Sequence, residues 1–213
     1  QPLSAIRYYL HNAEKLLERG KTQTHKENLS KIENLIERMA KMINHLKTFA
    51  RVHPDRLEPI NGIESIEEAI ELLDEKVERK EVSIFANLQS APIMAYADNS
   101  RLEQVLVNVL SNGIDAAIQT SAGKGELNIS VEQVNEGVAI VVCDNGAGIS
   151  VDPPETVFYP FYTTKEVGRG LGLGLSIAYN IVKGFGGRMI ATNPEVGGAC
   201  FTVILQKVED DLQ

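Results

Sequence analysis

Three polar residues, Asn108, Asn112 and Asp115, recur at i, i+4 and i+7 in a stretch whose apolar residues fall on the opposite side. On a helix that spacing puts all three on one face. Asparagine is a mediocre helix former, so an aligned row of polar acceptors asks for a reason. Amide oxygens and a carboxylate suit a hard cation such as Mg²⁺, held partly through water and partly by nucleotide phosphates. A plain solvated helix face is the alternative for this block alone.

Asp144 ends the apolar run Val138-Ala-Ile-Val-Val-Cys143 and is followed by Gly146, Gly148 and Ile149. A carboxylate at the edge of a core accepts a hydrogen bond well in low dielectric. The exocyclic amine of adenine is a natural donor to it. The two glycines let the backbone turn sharply and approach a flat ligand, and Ile149 can pack on the ring. A strand-ending Asp-Asn-Gly turn would look the same in isolation.

Two further blocks bound one loop: Phe158-Tyr-Pro-Phe161-Tyr-Thr-Thr164-Lys165, and Gly170-Leu171-Gly172-Leu173-Gly174-Leu175. Lys165 is a candidate phosphate contact. Gly168, Gly170, Gly172 and Gly174 alternate with Arg169 and three leucines, and a helix follows. Amides freed by glycine, running into a helix N-terminus, form an anion site. It is not a Walker A loop, because no Gly-Lys-Ser/Thr follows. The segment is expected to order only with nucleotide bound; a plain flexible loop is the alternative for the glycine repeat alone.

The elements that must hold these groups are legible from periodicity. Residues 1–53 read as two helices, with Leu3, Ile6, Leu10, Ala13 and Leu17 in the first and Ile32, Leu35, Met39, Met42, Leu46 and Phe49 in the second. That heptad seam asks for helical partners. The polar link from Arg19 to Thr24 predicts an antiparallel hairpin, and two hairpins would bury both seams in a dimeric four-helix bundle. His53-Pro54-Asp55 reads as a linker. Beyond it, residues 58–208 read as an α/β unit: a helix from Ile63 to about Glu78, strands at Val82–Leu88 and Ile93–Ala97, and a helix from Asn99 to Gln119. An antiparallel pair follows at Glu126–Val134 and Val138–Cys143, then a loop over 150–172. A helix at Leu173–Lys183 and strands at Met189–Asn193 and Ala199–Gln206 complete the order. The fold class is α+β, a helical hairpin followed by a mixed sheet with helices on one face.

Composition narrows the class of partner. The 213 residues are 43% hydrophobic and 23% charged, with a net charge of -8. An acidic chain without a basic run is a poor nucleic-acid binder. No stretch reaches the roughly 18 apolar residues of a membrane span, so no membrane contact is expected of these residues. Cys143 and Cys200 read as two buried thiols of a reducing compartment. The histidines His11, His25, His45 and His53 read as ordinary helical surface residues.

As an ordered set, the four blocks resemble the N, G1, F and G2 boxes of the catalytic domain of bacterial sensor histidine kinases, within the superfamily shared with gyrase-type, Hsp90 and MutL ATPases. Gly197-Gly198-Ala199-Cys200-Phe201 resembles the final glycine box. The opening Gln1-Pro2-Leu3-Ser-Ala-Ile6-Arg7 is similar to the segment after the phosphoacceptor His of C4-dicarboxylate sensors of the DctB type. The resemblance implies an ATP-dependent protein-histidine kinase with ATP and Mg²⁺ as ligands. It implies that Asn112 coordinates the metal, Asn108 supports the phosphates, and Asp144 reads adenine with Gly146, Gly148 and Ile149. Lys165 and the lid glycines Gly170, Gly172 and Gly174 would hold the β- and γ-phosphates, with Asp115, Thr164, Leu171, Leu173 and Leu175 among the other nucleotide-binding residues and Phe161 anchoring the lid. It further implies a homodimer, a response-regulator receiver domain as partner, and a place in the cytoplasmic portion of an inner-membrane sensor.

In that family the phosphoacceptor His lies a few residues before the Gln-Pro-Leu segment. The chain is therefore expected to be a transmitter fragment that binds ATP without phosphorylating itself, and none of its residues is nominated as catalytic. Two departures stand out. Gly113 occupies a position that is usually Ala, at about 1 kcal/mol of helix propensity. Ala199 and Cys200 replace a hydroxyl residue, so a backbone group or water must take that contact. An ATP-driven clamp of the same superfamily and a degenerate kinase acting as a scaffold are the alternatives; the N-terminal hairpin argues against the first and the intact pocket polar groups against the second.

Overall fold

In the computed structural model, residues 2–18, 22–50, 56–89, 91–118, 123–165 and 170–208 are described. The chain divides into two compact units, Gln1–Ala50 and Arg51–Gln213. Among the described residues, no helix is long and apolar enough to cross a membrane.

The first unit is a pair of helices, α1 (Pro2–Glu18) and α2 (Thr22–Ala50). Ala13 and Asn28 are buried between them, and His25 Nδ1 donates to the Ala13 carbonyl at 3.0 Å. His25 is thus a half-buried tie across the hairpin, not the surface residue expected. A small side chain opposite lets the imidazole reach the backbone. His11 is exposed, 3.9 Å from Glu14. Six aliphatics of this unit, Leu3, Leu10, Leu17, Leu29, Ile36 and Ile43, are exposed. The link at 19–21, the His53-Pro54 linker, and the side chains of Met42, His45, Leu46 and Phe49 lie outside the described residues.

The second unit is a five-stranded mixed sheet with helices on one face. Its strands are β2 (Ser83–Asn87), β4 (Glu126–Val134), β5 (Gly137–Asp144), β6 (Arg188–Thr192) and β7 (Cys200–Leu205), in the order β2-β4-β5-β7-β6. Only β2 and β4 run parallel. A two-stranded sheet joins β1 (Glu58–Asn61) to β3 (Met94–Ala97). Alternation sets the buried face: Leu127, Ile129 and Val131 of β4, Val138, Ile140 and Val142 of β5, and Phe201, Val203 and Leu205 of β7 all point into one core. Against it lie α5 (Asn99–Ala117), whose Leu102, Val105, Leu106, Val109, Leu110 and Ile114 are buried, and α6 (Gly174–Gly184). Asp98 caps α5 by accepting from Arg101 N–H at 3.0 Å.

The structure departs from the periodicity in three places. The helix expected over Ile63–Glu78 is two, α3 (Gly62–Glu71) and α4 (Asp74–Lys80), broken at Leu72-Leu73. The apolar spacing runs on across the break because Leu73 and Val77 still pack on the core. Strand β1 was not legible: four residues with Pro59 carry no alternation signal, and their pairing with β3 supplies the pattern. The loop over 150–172 contains a 3-10 turn at Pro154–Phe158.

Candidate functional site

The N-box helix α5, the end of β5 and the start of α6 carry the candidate groups. Asp144 lies one residue beyond Cys143 on the core side and is buried. Its Oδ1 accepts from the Gly146 N–H at 2.9 Å and the Ala199 N–H at 3.4 Å. Burial pushes the Asp144 carboxyl above its ordinary range, against those backbone donors. Both neighbours must be glycine-tight: a Cβ on Gly146 would stand 2.7 Å from the Ala116 carbonyl oxygen, and one on Gly198 (φ +79) 1.8 Å from the Asp144 carbonyl oxygen.

The turn after Asp144 is fastened by two asparagines. Asn145 Oδ1 accepts from the Glu126 N–H at 2.9 Å while its Nδ2 donates to the Lys124 carbonyl at 3.0 Å. Asn193 brackets Ile149 in the same way. Gly148 and a half-buried Ile149 are thereby held at the end of β5.

Asn108 lies beside the start of α6, and Asn112 is one turn further along α5. The Asn108 Nδ2 is buried with no partner, and Gly174, the first residue of α6, lies so close that a Cβ there would be 3.5 Å from Asn108 Oδ1. Leu173, at the N-cap of α6, makes no side-chain cap, and among the described residues nothing accepts from the first amides of the helix. An orphaned buried amide facing an uncapped helix N-terminus fits a bound anion carrying oxygen acceptors. Among the described residues nothing hydrogen-bonds the Asn112 side chain, and no cluster of three His, Cys, Asp or Glu stands together. The donor set therefore fits a hard cation that arrives with phosphate oxygens and takes one amide from the protein.

Asp115 is differently placed from Asn108 and Asn112. Its Oδ1 accepts from Lys76 Nζ at 2.8 Å and its Oδ2 from Lys165 Nζ at 2.6 Å. Lys76 also donates to the Ser111 carbonyl at 2.8 Å and hydroxyl at 2.6 Å. Burial alone would raise the Asp115 carboxyl, but the two ammonium groups outweigh it and hold it low. Burial lowers the Lys76 ammonium, and Asp115 offsets only part of that. The geometry favours the charged pair on both sides, since every Lys76 proton meets an oxygen. The carboxylate expected beside a cation is instead matched to two lysines. Lys76 and Ser111 were not singled out by the sequence, because a lysine on a short amphipathic helix carries no spacing signal.

The lid ends are also in place. The Phe161 side chain, expected to anchor the lid, is 67% exposed, on a residue with φ +68. Its N–H donates to the Gly172 carbonyl at 2.9 Å. The buried aromatic is Phe158, stacked on Tyr179 of α6 at 5.1 Å and edge-on to Phe201. Thr164 is exposed, and the Lys165 N–H donates to Thr163 Oγ1 at 3.2 Å. Leu173 is buried, and Leu171 and Leu175 pack on the core. Gly168 and Arg169, where nucleotide-dependent ordering was expected, lie outside the described residues.

Cys143 and Cys200 are not free thiols. They face each other across β5 and β7 in register and form a disulfide, with Cα atoms 4.1 Å apart. Both sit on the outward face of the sheet and are half-buried, not core residues. Their spacing of 57 residues hides a direct cross-strand pairing.

The model of the histidine kinase-, DNA gyrase B- and HSP90-like ATPase family matches residues 97–209. The chain belongs to this family. The match begins at the end of β3 and takes in α5, the Asp144 turn, the lid and α6, the elements that carry the ATPase blocks. Among relatives, the C4-dicarboxylate transport sensor protein DctB of Pseudomonas aeruginosa is 36% identical over 199 residues, 93% of this chain and 32% of that protein. The chain thus spans about a third of the length of the curated relatives it matches. The solved catalytic domain of histidine kinase ThkA is similar at a TM-score of 0.62 and 30% identity, over 71% of this chain and 95% of that one. A structure of ThkA in complex with the response regulator protein TrrA aligns at a TM-score of 0.71 and 25% identity, over 95% of this chain and 59% of that one. The second unit is a histidine-kinase-type ATPase domain of the two-component sensors.

Proposed function

We propose that residues 58–208 bind Mg-ATP and that, in the intact sensor, the domain passes the γ-phosphoryl group to a histidine, from which an aspartate of a response regulator takes it. The observation that carries the reading is the buried, partnerless Asn108 amide facing the open amides of α6. Asp144 would accept from the adenine amine, Ile149 would cover the ring, and Asn108, Lys165 and the glycine-bordered amides would take the phosphates. Mg²⁺, when bound through Asn112, would neutralise phosphate charge during transfer. The chain's own groups supply position and charge, not a covalent partner.

The acceptor is a histidine of the intact sensor, as the resemblance to sensor histidine kinases implies. The exposed aliphatic stripes of residues 1–50 support a homodimer of hairpins, and the ThkA–TrrA complex supports a receiver domain as partner. The parent protein is an inner-membrane sensor with this part in the cytoplasm. Calorimetry with magnesium-saturated ADP and AMP-PNP should give binding, and Asp144→Asn should lose most of it. No heat from folded wild-type protein would overturn the reading. The intact sensor should yield an acid-labile, base-stable phosphate after incubation with ATP.

A further inference from the structure

The ion cluster on the flank of the nucleotide site involves a residue outside every ATPase block. Lys76, from α4, has three acceptors for its three protons: Asp115 Oδ1 at 2.8 Å, the Ser111 carbonyl at 2.8 Å and the Ser111 hydroxyl at 2.6 Å. It is saturated and fixed. Among the described residues, the Lys165 ammonium has one partner, Asp115 Oδ2 at 2.6 Å. Two ammonium groups share one carboxylate, so the cluster carries one uncompensated positive charge.

Resting on the nucleotide reading above, we propose that Lys76 is a positioning residue for phosphate recognition. By neutralising Asp115, it frees the Lys165 ammonium to transfer from that carboxylate to a nucleotide phosphate. The stem of Lys165 crosses Gly170, where a Cβ would stand 3.1 Å from Lys165 Cδ. Gly170 opens the run that leads to α6. Asp115 lies seven residues beyond Asn108 on α5, roughly 10 Å along the axis, so a swing of the lysine side chain spans much of the distance to the phosphate end. Without Lys76 the cluster loses its net positive charge. Asp115 and Lys165 would neutralise each other, and drawing Lys165 away would leave a carboxylate unpaired beside a polyanion, in a half-buried site where that repulsion is poorly screened.

The test compares adenosine with AMP-PNP, both with magnesium at fixed salt, on wild type, Lys76→Met, Lys76→Arg and the double variant Lys76→Met/Asp115→Asn. Lys76→Met should weaken AMP-PNP on the order of tenfold and leave adenosine almost unchanged. The double variant should regain phosphate-dependent affinity, because Lys165 alone again supplies the net charge. Lys76→Arg, which keeps the charge, should stay near wild type. A merely structural lysine would weaken both ligands alike in Lys76→Met and would not be rescued by removing the charge of its partner; either result overturns the role. Wild type that binds AMP-PNP, with Lys76→Met unaffected, overturns this role alone. Wild type that binds neither ligand overturns the nucleotide site and this role with it.

Discussion

Asn193 closes a ring of two hydrogen bonds on Ile149, 44 residues earlier: its Nδ2 donates to the Ile149 carbonyl at 2.7 Å and its Oδ1 accepts from the Ile149 N–H at 2.8 Å. Gly148, beside it, has φ +78, and a Cβ there would stand 3.2 Å from Asn193 Oδ1. The asparagine thus fixes the far side of a turn whose start is held by Asp144 and Asn145. Asn193→Ala removes both bonds, each about 1 kcal/mol net. We expect adenine-nucleotide affinity to fall by roughly tenfold and the thermal midpoint by a few degrees. Calorimetry beside a melting curve checks it; unchanged affinity would show that the Ile149 turn plays no part in binding.

The buried Asp144 carboxyl predicts opposite pH trends for stability and binding. Its native pKa is raised above the ordinary 3.8, so between the two values the folded state holds the proton more often than the unfolded chain. Its contribution to stability is therefore full below the unfolded value and fades as pH rises through the native one. Adenine recognition needs the ionised acceptor, so affinity should rise over that same window. Urea unfolding and AMP-PNP titration from pH 7 down to the acid limit of the fold, for wild type and Asp144→Asn, isolate the residue, since other carboxylates cancel in the difference. A wild-type-minus-variant difference flat with pH would contradict the role.

The helix and strand that carry the ATPase blocks were legible because burial on one face imposes a period. α5 runs from Asn99 to Ala117 as its apolar stripe requires, and β4 and β5 pair as their alternation predicts. What was illegible depends on contacts between distant segments. Gly113 read as a small defect in a helix; in the fold, a Cβ there would come 2.5 Å from Leu127 Cδ1, so the glycine lets α5 settle on β4. Lys76 meets Asp115 across 39 positions, and Cys143 meets Cys200 through β5–β7 register. Phe161 was the expected lid anchor, but its side chain is exposed while Phe158 is buried, a difference that the spacing of the block does not carry.

The disulfide fastens β5 to β7 beside Asp144, the last residue of β5, and its donor Ala199, the residue before β7. Closing a loop with a sequence separation of 57 confers about 4 kcal/mol in the chain-entropy model, and 2–4 kcal/mol is usual. The double variant Cys143→Ser/Cys200→Ser should lose about 2–4 kcal/mol of unfolding free energy. A thiol reductant should destabilise wild type comparably and leave the variant unmoved. Equal urea midpoints for oxidised wild type and the variant would show that the bond adds nothing to the fold.

Leu3, Leu10 and Leu17 on α1, and Leu29, Ile36 and Ile43 on α2, each repeat every seven residues and are between 43% and 66% exposed. Ala13 and Asn28, by contrast, are already covered within the hairpin. Two stripes of bare aliphatics at coiled-coil spacing need a coat, and a second hairpin offers the complementary one. Burying one such side chain is worth about 1.5–3 kcal/mol, so removing two per protomer removes four from a symmetric bundle. Sedimentation should find wild type dimeric at micromolar concentration and Leu10→Lys/Ile36→Lys monomeric. In that variant nucleotide affinity should persist, because no residue of the Asn108–Asp144 site comes from residues 1–50. A monomeric wild type would refute the bundle; loss of nucleotide binding together with the dimer would refute the independence of the two units.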